Sequence, residues 1–290
     1  MKALVTLTPT EAKRFVAMAV ARMPETLTAR EKGIMALHPS SSTYFLVEEL
    51  TGSRPQTDVW MCGAIAPKGL CVEWGSYAQV ALHDAPFLSK PGLFPFTWIV
   101  KDGKMQPPMG IDELCQILGP DDVYVKGGNA MDPSGNVGVL IGSMAEGTIA
   151  RVASAHKKRG FKIVFTMGME KLLPISIKEA SRAVGAPGKL DYSMGIRCGL
   201  IPVPGITVSE VEAAKIIGGV EAVPISAGGV GGAEGSVVLV IKGEKAGVMK
   251  AVEAMEASKG AKLPPVRNPD CKECIATSIC PMAGNPKPWS

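Results

Sequence analysis

Short apolar runs alternate with amphipathic segments along residues 1–189. The runs at 33–37, 121–126 and 161–167 predict buried strands, and apolar residues three and four apart between them predict helices. An Asp-Gly pair at 102–103, between two apolar runs, predicts a hairpin. Strand–helix alternation is typical of a parallel sheet with helices on its faces. We therefore expect an α/β fold whose first domain, residues 1–189, is a three-layer parallel-sheet domain.

The pattern changes after a Gly- and Pro-rich stretch at 186–191, which predicts a domain boundary. Residues 190–261 follow the order strand, helix, strand, strand, helix, which predicts a ferredoxin-like α+β module. A capping box of Thr207 and Glu210 is expected to open the first helix. Residues 262–290 are rich in proline, contain three cysteines and show little periodicity, which indicates a tail. The element order of 190–261 is similar to that of bacterial microcompartment shell domains, and the resemblance implies a homo-oligomer.

Composition and charge indicate which partners and which cellular compartment to expect. The 290 residues carry a net charge of +4, and no run of Lys and Arg is interleaved with aromatic residues, so we expect no nucleic-acid partner. No apolar run reaches the roughly 18 residues of a membrane span, and the N-terminus turns polar too soon for a secretory leader. We therefore expect a cytoplasmic protein without a membrane partner. In that reducing compartment, the seven cysteines argue against a disulfide framework.

Four consecutive hydroxylated residues, Ser40, Ser41, Ser42 and Thr43, lie between a predicted strand and a predicted helix. One of them would suffice to cap the helix, because a hydroxyl oxygen accepts a free N–H of the first turn. Four of them also suit the binding of a phosphate or carboxylate at the positive end of a helix. The local pattern leaves the helix cap and the anion site equally open.

A Gly-, Asn- and Asp-rich turn follows the strand at 121–126. Gly127 and Gly128 allow the backbone to turn sharply and to approach a ligand closely. Asn129 and Asp132 flank this turn, and the alternative interpretation is a long turn capped by these two side chains. Open parallel sheets bind their ligands at the carboxyl ends of their strands, which favours a site here, with Asn136 as a further ligand contact.

The stretches GIMALHPSSSTYFLVEEL and DVYVKGGNAMDPSGNVGVLIGS resemble two parts of one ligand site in a known superfamily. It contains ribose-5-phosphate isomerase, glucosamine-6-phosphate deaminase and the CoA transferases. The resemblance covers about residues 30–190 and implies this fold type and an anionic small-molecule ligand on Ser40–Thr43. Asp132 matches an acidic position of the superfamily, and Glu146 lies roughly where the isomerases carry an enolising base. Asn129 replaces another acidic residue, and residues 139–140 replace a lysine.

The resemblance implies acid/base chemistry next to a carbonyl group, if the protein is an enzyme. Asp132 or Glu146 would exchange the proton. Asn129 and the N–H groups of Gly127 and Gly128 would stabilise an enolate oxygen. The alternatives are a non-catalytic ligand or redox sensor and an assembly module.

Three cysteines of the tail, Cys271, Cys274 and Cys280, have the spacing C-x2-C-x5-C and are followed by Pro281. Three thiolates at this spacing predict a metal site. The spacing resembles auxiliary iron–sulfur motifs more than zinc ribbons, so we expect an iron–sulfur cluster, with zinc as the alternative. A fourth ligand would come from Cys198, a partner chain or an exogenous molecule. The alternative is that these tail cysteines bind no metal and are either redox-active or clustered by chance.

Overall fold

A computed structural model describes residues 1–56, 60–72, 97–142, 147–186, 189–266, 268, 270–274, 277 and 279–288. The helices in these ranges are α1 Pro9–Val20, α2 Pro24–Lys32, α3 Ser41–Thr51, α4 Ile111–Ile117, α5 Gly147–Arg159, α6 Ile177–Val184, α7 Glu210–Gly218, α8 Lys245–Ser258 and a 3-10 helix Met169–Lys171. The strands are β1 Lys2–Leu7, β2 Met35–Leu37, β3 Gly63–Ala66, β4 Gly69–Val72, β5 Trp98–Lys101, β6 Lys104–Gln106, β7 Val123–Gly127, β8 Ala130–Met131, β9 Val137–Ile141, β10 Lys162–Thr166, β11 Gly199–Val203, β12 Ile206–Val208, β13 Glu221–Gly228 and β14 Ser236–Lys242. No helix in the described ranges is long and apolar enough to cross a lipid bilayer.

The central sheet has the strand order β12-β10-β7-β2-β5-β6. Its first four strands run parallel, and β5 and β6 continue the sheet antiparallel. Asp102 and Gly103 join β5 to β6 with positive φ angles of 51° and 67°, the backbone of a tight hairpin turn. The predicted α/β class, the mostly parallel sheet and the hairpin are confirmed.

Both faces of the central sheet are buried, and β7 shows why its sequence is almost continuously apolar. Val123 and Val125 contribute to one hydrophobic core, which also contains apolar side chains of α1, α2, α3, α7 and α8. Tyr124, between them, contributes to a second core with side chains of α4 and α5. Because successive side chains of a strand point to opposite faces, helices cover the sheet on both sides.

The strands after residue 190 pair differently from the predicted ferredoxin-like module. The three-stranded antiparallel sheet is β1-β14-β13, so the N-terminal strand supplies one of its edges, with Lys2 opposite Lys242. Strand β11 pairs with β9, and β12 joins the central sheet. Hydrophobic periodicity identifies strands but carries no information on partners so distant in sequence.

The helix cap predicted at Thr207 and Glu210 lies two residues further along the chain. Ser209 caps α7 and forms the capping box with Glu212. Thr207 belongs to β12, and its hydroxyl donates a hydrogen bond to the carbonyl of Gly135 at 2.7 Å. The pairing of β12 with β10 extends the strand through Val208, which moves the start of the helix.

Candidate functional site

The two stretches singled out in the sequence meet at the carboxyl edge of the central sheet. Strands β2 and β7 are parallel neighbours, and the His38 N–H donates to the carbonyl of Val125 at 2.9 Å. A Cβ atom on Gly127 would lie 3.2 Å from the Ser40 Oγ. The serine loop that follows β2 and the glycine turn that follows β7 are therefore in direct contact.

The serine loop is first of all a helix cap. Ser40 precedes α3, and its Oγ accepts a hydrogen bond from the Thr43 N–H at 3.4 Å. The Thr43 hydroxyl donates to the carbonyl of His38 at 2.6 Å, and Ser42 is buried. The N–H groups of Ser41 and Ser42 belong to the first turn, where no helix carbonyl can accept them. Free N–H groups at the start of a helix are the groups that can bind an anion.

Thr166, the last residue of β10, lies beside this contact. It pairs with Gly127 across the two strands and is fully buried. Its Oγ1 has no hydrogen-bond partner in the described part of the chain. A buried hydroxyl without a partner is costly, so this group is available to bond a water or a ligand.

The carboxylate of Asp132 holds the glycine turn together. Its Oδ1 accepts from the N–H groups of Ser134 and Asn136, both at 3.0 Å, and its Oδ2 accepts from the Ile177 N–H at 3.1 Å. The Asn136 side chain donates to both oxygens, at 3.1 and 3.0 Å. Burial would raise the pKa of Asp132, but these hydrogen bonds outweigh it and lower the pKa below its ordinary value. These contacts favour a structural carboxylate over a proton-exchanging one.

The other predicted residues of the turn also make contacts within the protein. The Asn129 Oδ1 accepts from the Leu140 N–H at 3.0 Å and so supports the β8–β9 hairpin. A Cβ atom on Gly128 would meet Val137 at 2.4 Å, so only glycine fits at this position. Glu146 lies outside the described residues.

Glu210, which the sequence predicted only as a capping-box residue, lies buried at the same edge. Glu210 is the first residue of α7, directly after β12, and is 1% exposed. Its two carboxylate oxygens accept from the Met169 N–H at 3.1 and 3.0 Å. Burial raises the pKa of Glu210 to about 7, against the opposing effect of backbone hydrogen bonds. Such a pKa suits proton exchange at neutral pH.

Two lysines flank the glycine turn. Burial lowers the pKa of Lys126 to about 8; the Cys62 thiol opposes this effect and Lys171 adds to it. Burial also lowers the pKa of Lys171 to about 8, although Glu170 opposes it. The Lys171 ammonium donates to the carbonyl of Gly128 at 2.9 Å. The edge therefore contains two ammonium groups that lack full hydration.

Sequence signals for these three residues were weak. Lys126 interrupts an apolar run directly before Gly127 and Gly128, which is a usable signal for a charge at a strand end. Lys171 lies in the short 3-10 helix after β10, and Glu210 looks like an ordinary acidic residue of a first helical turn. Their proximity follows from the pairing of β7, β10 and β12, which periodicity does not specify.

The three tail cysteines come together, and a fourth cysteine joins them. Cys271, Cys274 and Cys280 line one small cavity together with Cys71 of β4. Its empty volume, including the opening to solvent, is about 290 Å³. Among the described residues, no three His, Cys, Asp or Glu side chains are arranged to hold a single metal ion. Cys198 packs in the same apolar cluster, and burial raises its pKa to about 11.

Comparisons of the chain with protein-family models, with curated proteins and with solved structures found no match. The coarse fold is α/β with a mostly parallel central sheet. The finer fold type and the function are therefore inferred from the contacts of the residues described above.

Proposed function

We propose that the protein binds an anionic small molecule, a phosphorylated or carboxylated metabolite, at the carboxyl edge of its central sheet. The observation that carries the proposal is the contact of the Ser40 loop with Gly127, beside the buried hydroxyl of Thr166. Without a side chain at Gly127, Ser40 packs closely against the end of β7, and in this proposal the first turn of α3 presents N–H groups to the ligand there.

Two lysines at this edge of the sheet support the binding of an anion. Lys126 directly precedes Gly127, the Lys171 ammonium contacts the Gly128 carbonyl, and both lysines have a pKa of about 8 because they are buried. A bound phosphate or carboxylate favours the charged form of each lysine and raises its pKa. Binding is therefore coupled to proton uptake at and above pH 8 in this proposal.

The edge also supports acid/base chemistry. Glu210, with a pKa of about 7, is present in both protonation states at neutral pH. In this proposal Glu210 takes the proton-exchanging role that the sequence suggested for Asp132 or Glu146. Asp132 remains ionised and holds the turn, because N–H groups already bond both of its oxygens.

The finer fold type belongs to the same proposal: a domain of the isomerase/CoA-transferase-like type. The serine loop in contact with the glycine turn supports it, as does Lys171, which supplies an ammonium near Gly128 where residues 139–140 offer none. A non-catalytic sensor of the same ligand class is the alternative. Turnover of a bound metabolite would separate the enzyme from the sensor.

The test is a titration with inorganic phosphate followed by calorimetry and by the melting temperature. We expect the wild type to bind phosphate and to be stabilised by it. Lys126→Met removes one ammonium, and Gly127→Ala places a methyl group 3.2 Å from the Ser40 Oγ. Both variants should lose most of the phosphate response.

Lys104→Met is the matched control, because Lys104 is an exposed lysine of β6 on the far edge of the sheet. It should bind phosphate like the wild type. Acetate and citrate are titrated in parallel, because they distinguish a carboxylate site from a phosphate site. A wild type that responds to none of these anions, or a Lys126→Met variant that responds fully, contradicts the proposal.

A further inference from the structure

The small cavity at the C-terminal tail is lined by four cysteines from two distant parts of the chain. We propose that Cys71, Cys271, Cys274 and Cys280 hold an iron–sulfur cluster, with Cys71 of the β3–β4 hairpin as the fourth ligand. This centre is separate from the anion site proposed above.

The fold brings Cys71 to the tail through an unusually close backbone contact. The Leu70 N–H donates to the carbonyl of Met194 at 3.1 Å, and the Ile196 N–H donates to the carbonyl of Leu70 at 2.8 Å. A Cβ atom on Gly69 would lie 2.0 Å from the Met194 oxygen, and one on Gly195 would lie 2.0 Å from the Leu70 oxygen. Both glycines also have positive φ angles, so glycine is required on each side of the contact.

The tail is attached to the same segment. The Arg197 N–H donates to the carbonyl of Ile279 at 2.9 Å, next to Cys280. Within the tail, the Gly284 N–H donates to the carbonyl of Cys271 at 2.7 Å and closes the loop that carries the three cysteines. Residues 194–198 therefore connect the hairpin to the tail, and Cys71 reaches the cavity because both bind this segment.

The three tail cysteines belong to one apolar cluster that also contains Leu70, Ile196 and Ile279, so apolar side chains border the cavity that they share with Cys71. Hydrophobic surroundings of this kind limit the access of water to a metal site.

Four cysteines around one cavity supply the number of thiolates that a 2Fe–2S or 4Fe–4S cluster would take. A single zinc ion would use the same four thiolates, so the iron and sulfide content of the loaded protein separates the two metals.

The test is anaerobic reconstitution of the full chain with ferrous iron and sulfide, followed by desalting and measurement of bound iron, sulfide and visible absorption. The wild type should retain iron and sulfide in equal amounts, with more than one iron per chain. Cys71→Ser should retain iron at least about tenfold more weakly, since even residues that merely orient a metal ligand account for that much. Cys115→Ser, in α4, is the control and should match the wild type.

A second measurement on the wild type does not depend on the folding of a variant. The loaded protein and the chelator-treated protein are alkylated, and the modified cysteines are mapped by mass spectrometry. Cys71 should be protected together with the three tail cysteines in the loaded protein only, while Cys115 reacts equally in both. Three results would overturn the proposal. They are an iron content of Cys71→Ser equal to that of the wild type, equal alkylation of Cys71 in the loaded and chelator-treated samples, and binding of zinc alone at one ion per chain.

Discussion

Replacement of Glu210 by glutamine tests the buried carboxyl group at the carboxyl edge. The side chain is 1% exposed, and its two oxygens accept from the N–H of Met169. Glutamine preserves the shape and one acceptor oxygen but cannot ionise. The substitution therefore isolates the effect of the charge.

The size and sign of the effect follow from the pKa. Burial raises the pKa of Glu210 from 4.5 to about 7, so the folded protein holds this proton longer than the unfolded chain does. Stability from this group is greatest below pH 4.5, falls as the pH rises from 4.5 to 7, and is constant above that range. The total change is on the order of 3 kcal/mol, because each pH unit between the two values is worth about 1.4 kcal/mol.

The assay is urea unfolding of the wild type and of Glu210→Gln at intervals between pH 4.5 and 8.5. We expect the free energy of unfolding of the variant, relative to the wild type, to increase with pH and to level off near pH 7. Glu253→Gln, on the exposed side of α8, is the control and should give a flat difference. A flat difference for Glu210→Gln as well would refute the reasoning that Glu210 is a proton-holding carboxyl.

Further predictions concern residues that hold the fold. Asp132→Asn turns an amide N–H group toward backbone N–H donors. The free energy of unfolding at pH 7 should therefore fall by about 2–3 kcal/mol. Gly69→Ala should prevent stable folding because its Cβ meets backbone at 2.0 Å, whereas Gly52→Ala, with open space around it, should cost only about 1 kcal/mol by the same assay. Burial would raise the pKa of Glu11, but hydrogen bonds, first among them the one from Lys259, outweigh it and lower the pKa to about 2. The stabilisation by Glu11 is therefore present above pH 4.5 and lost between pH 4.5 and 2; Glu11→Gln should remove this acid dependence, and equal acid unfolding of both proteins would contradict it.

The elements of the fold could largely be predicted from local sequence. The apolar runs at β2, β7 and β10 and the Asp-Gly hairpin correspond to the observed strands and turn. Local patterns did not predict pairings between strands that are distant in sequence. Strand β1 completes the sheet of β13 and β14, and β11 pairs with β9 instead of joining that sheet. A strand with one buried face shows its own periodicity but not the identity of its neighbour.

The meeting of the serine loop and the glycine turn could be predicted in part from local sequence. The serine loop and the glycine turn follow strands that are neighbours in the sheet, so both were accessible to pattern analysis. Glu210 and Lys171 have shifted pKa values mainly because the fold buries them. Cys71 is a single cysteine in a short hairpin, and nothing near it in the sequence indicates the tail that it meets.

The binding of an anion at the carboxyl edge is tested most directly by crystals of the full chain soaked in tungstate, an oxyanion that replaces phosphate and scatters anomalously. The account predicts an anomalous peak within hydrogen-bond distance of the Ser41 and Ser42 N–H groups and beside Gly127, and predicts its loss in Gly127→Ala. Peaks found only elsewhere on the surface, or an unchanged peak in Gly127→Ala, would contradict the account.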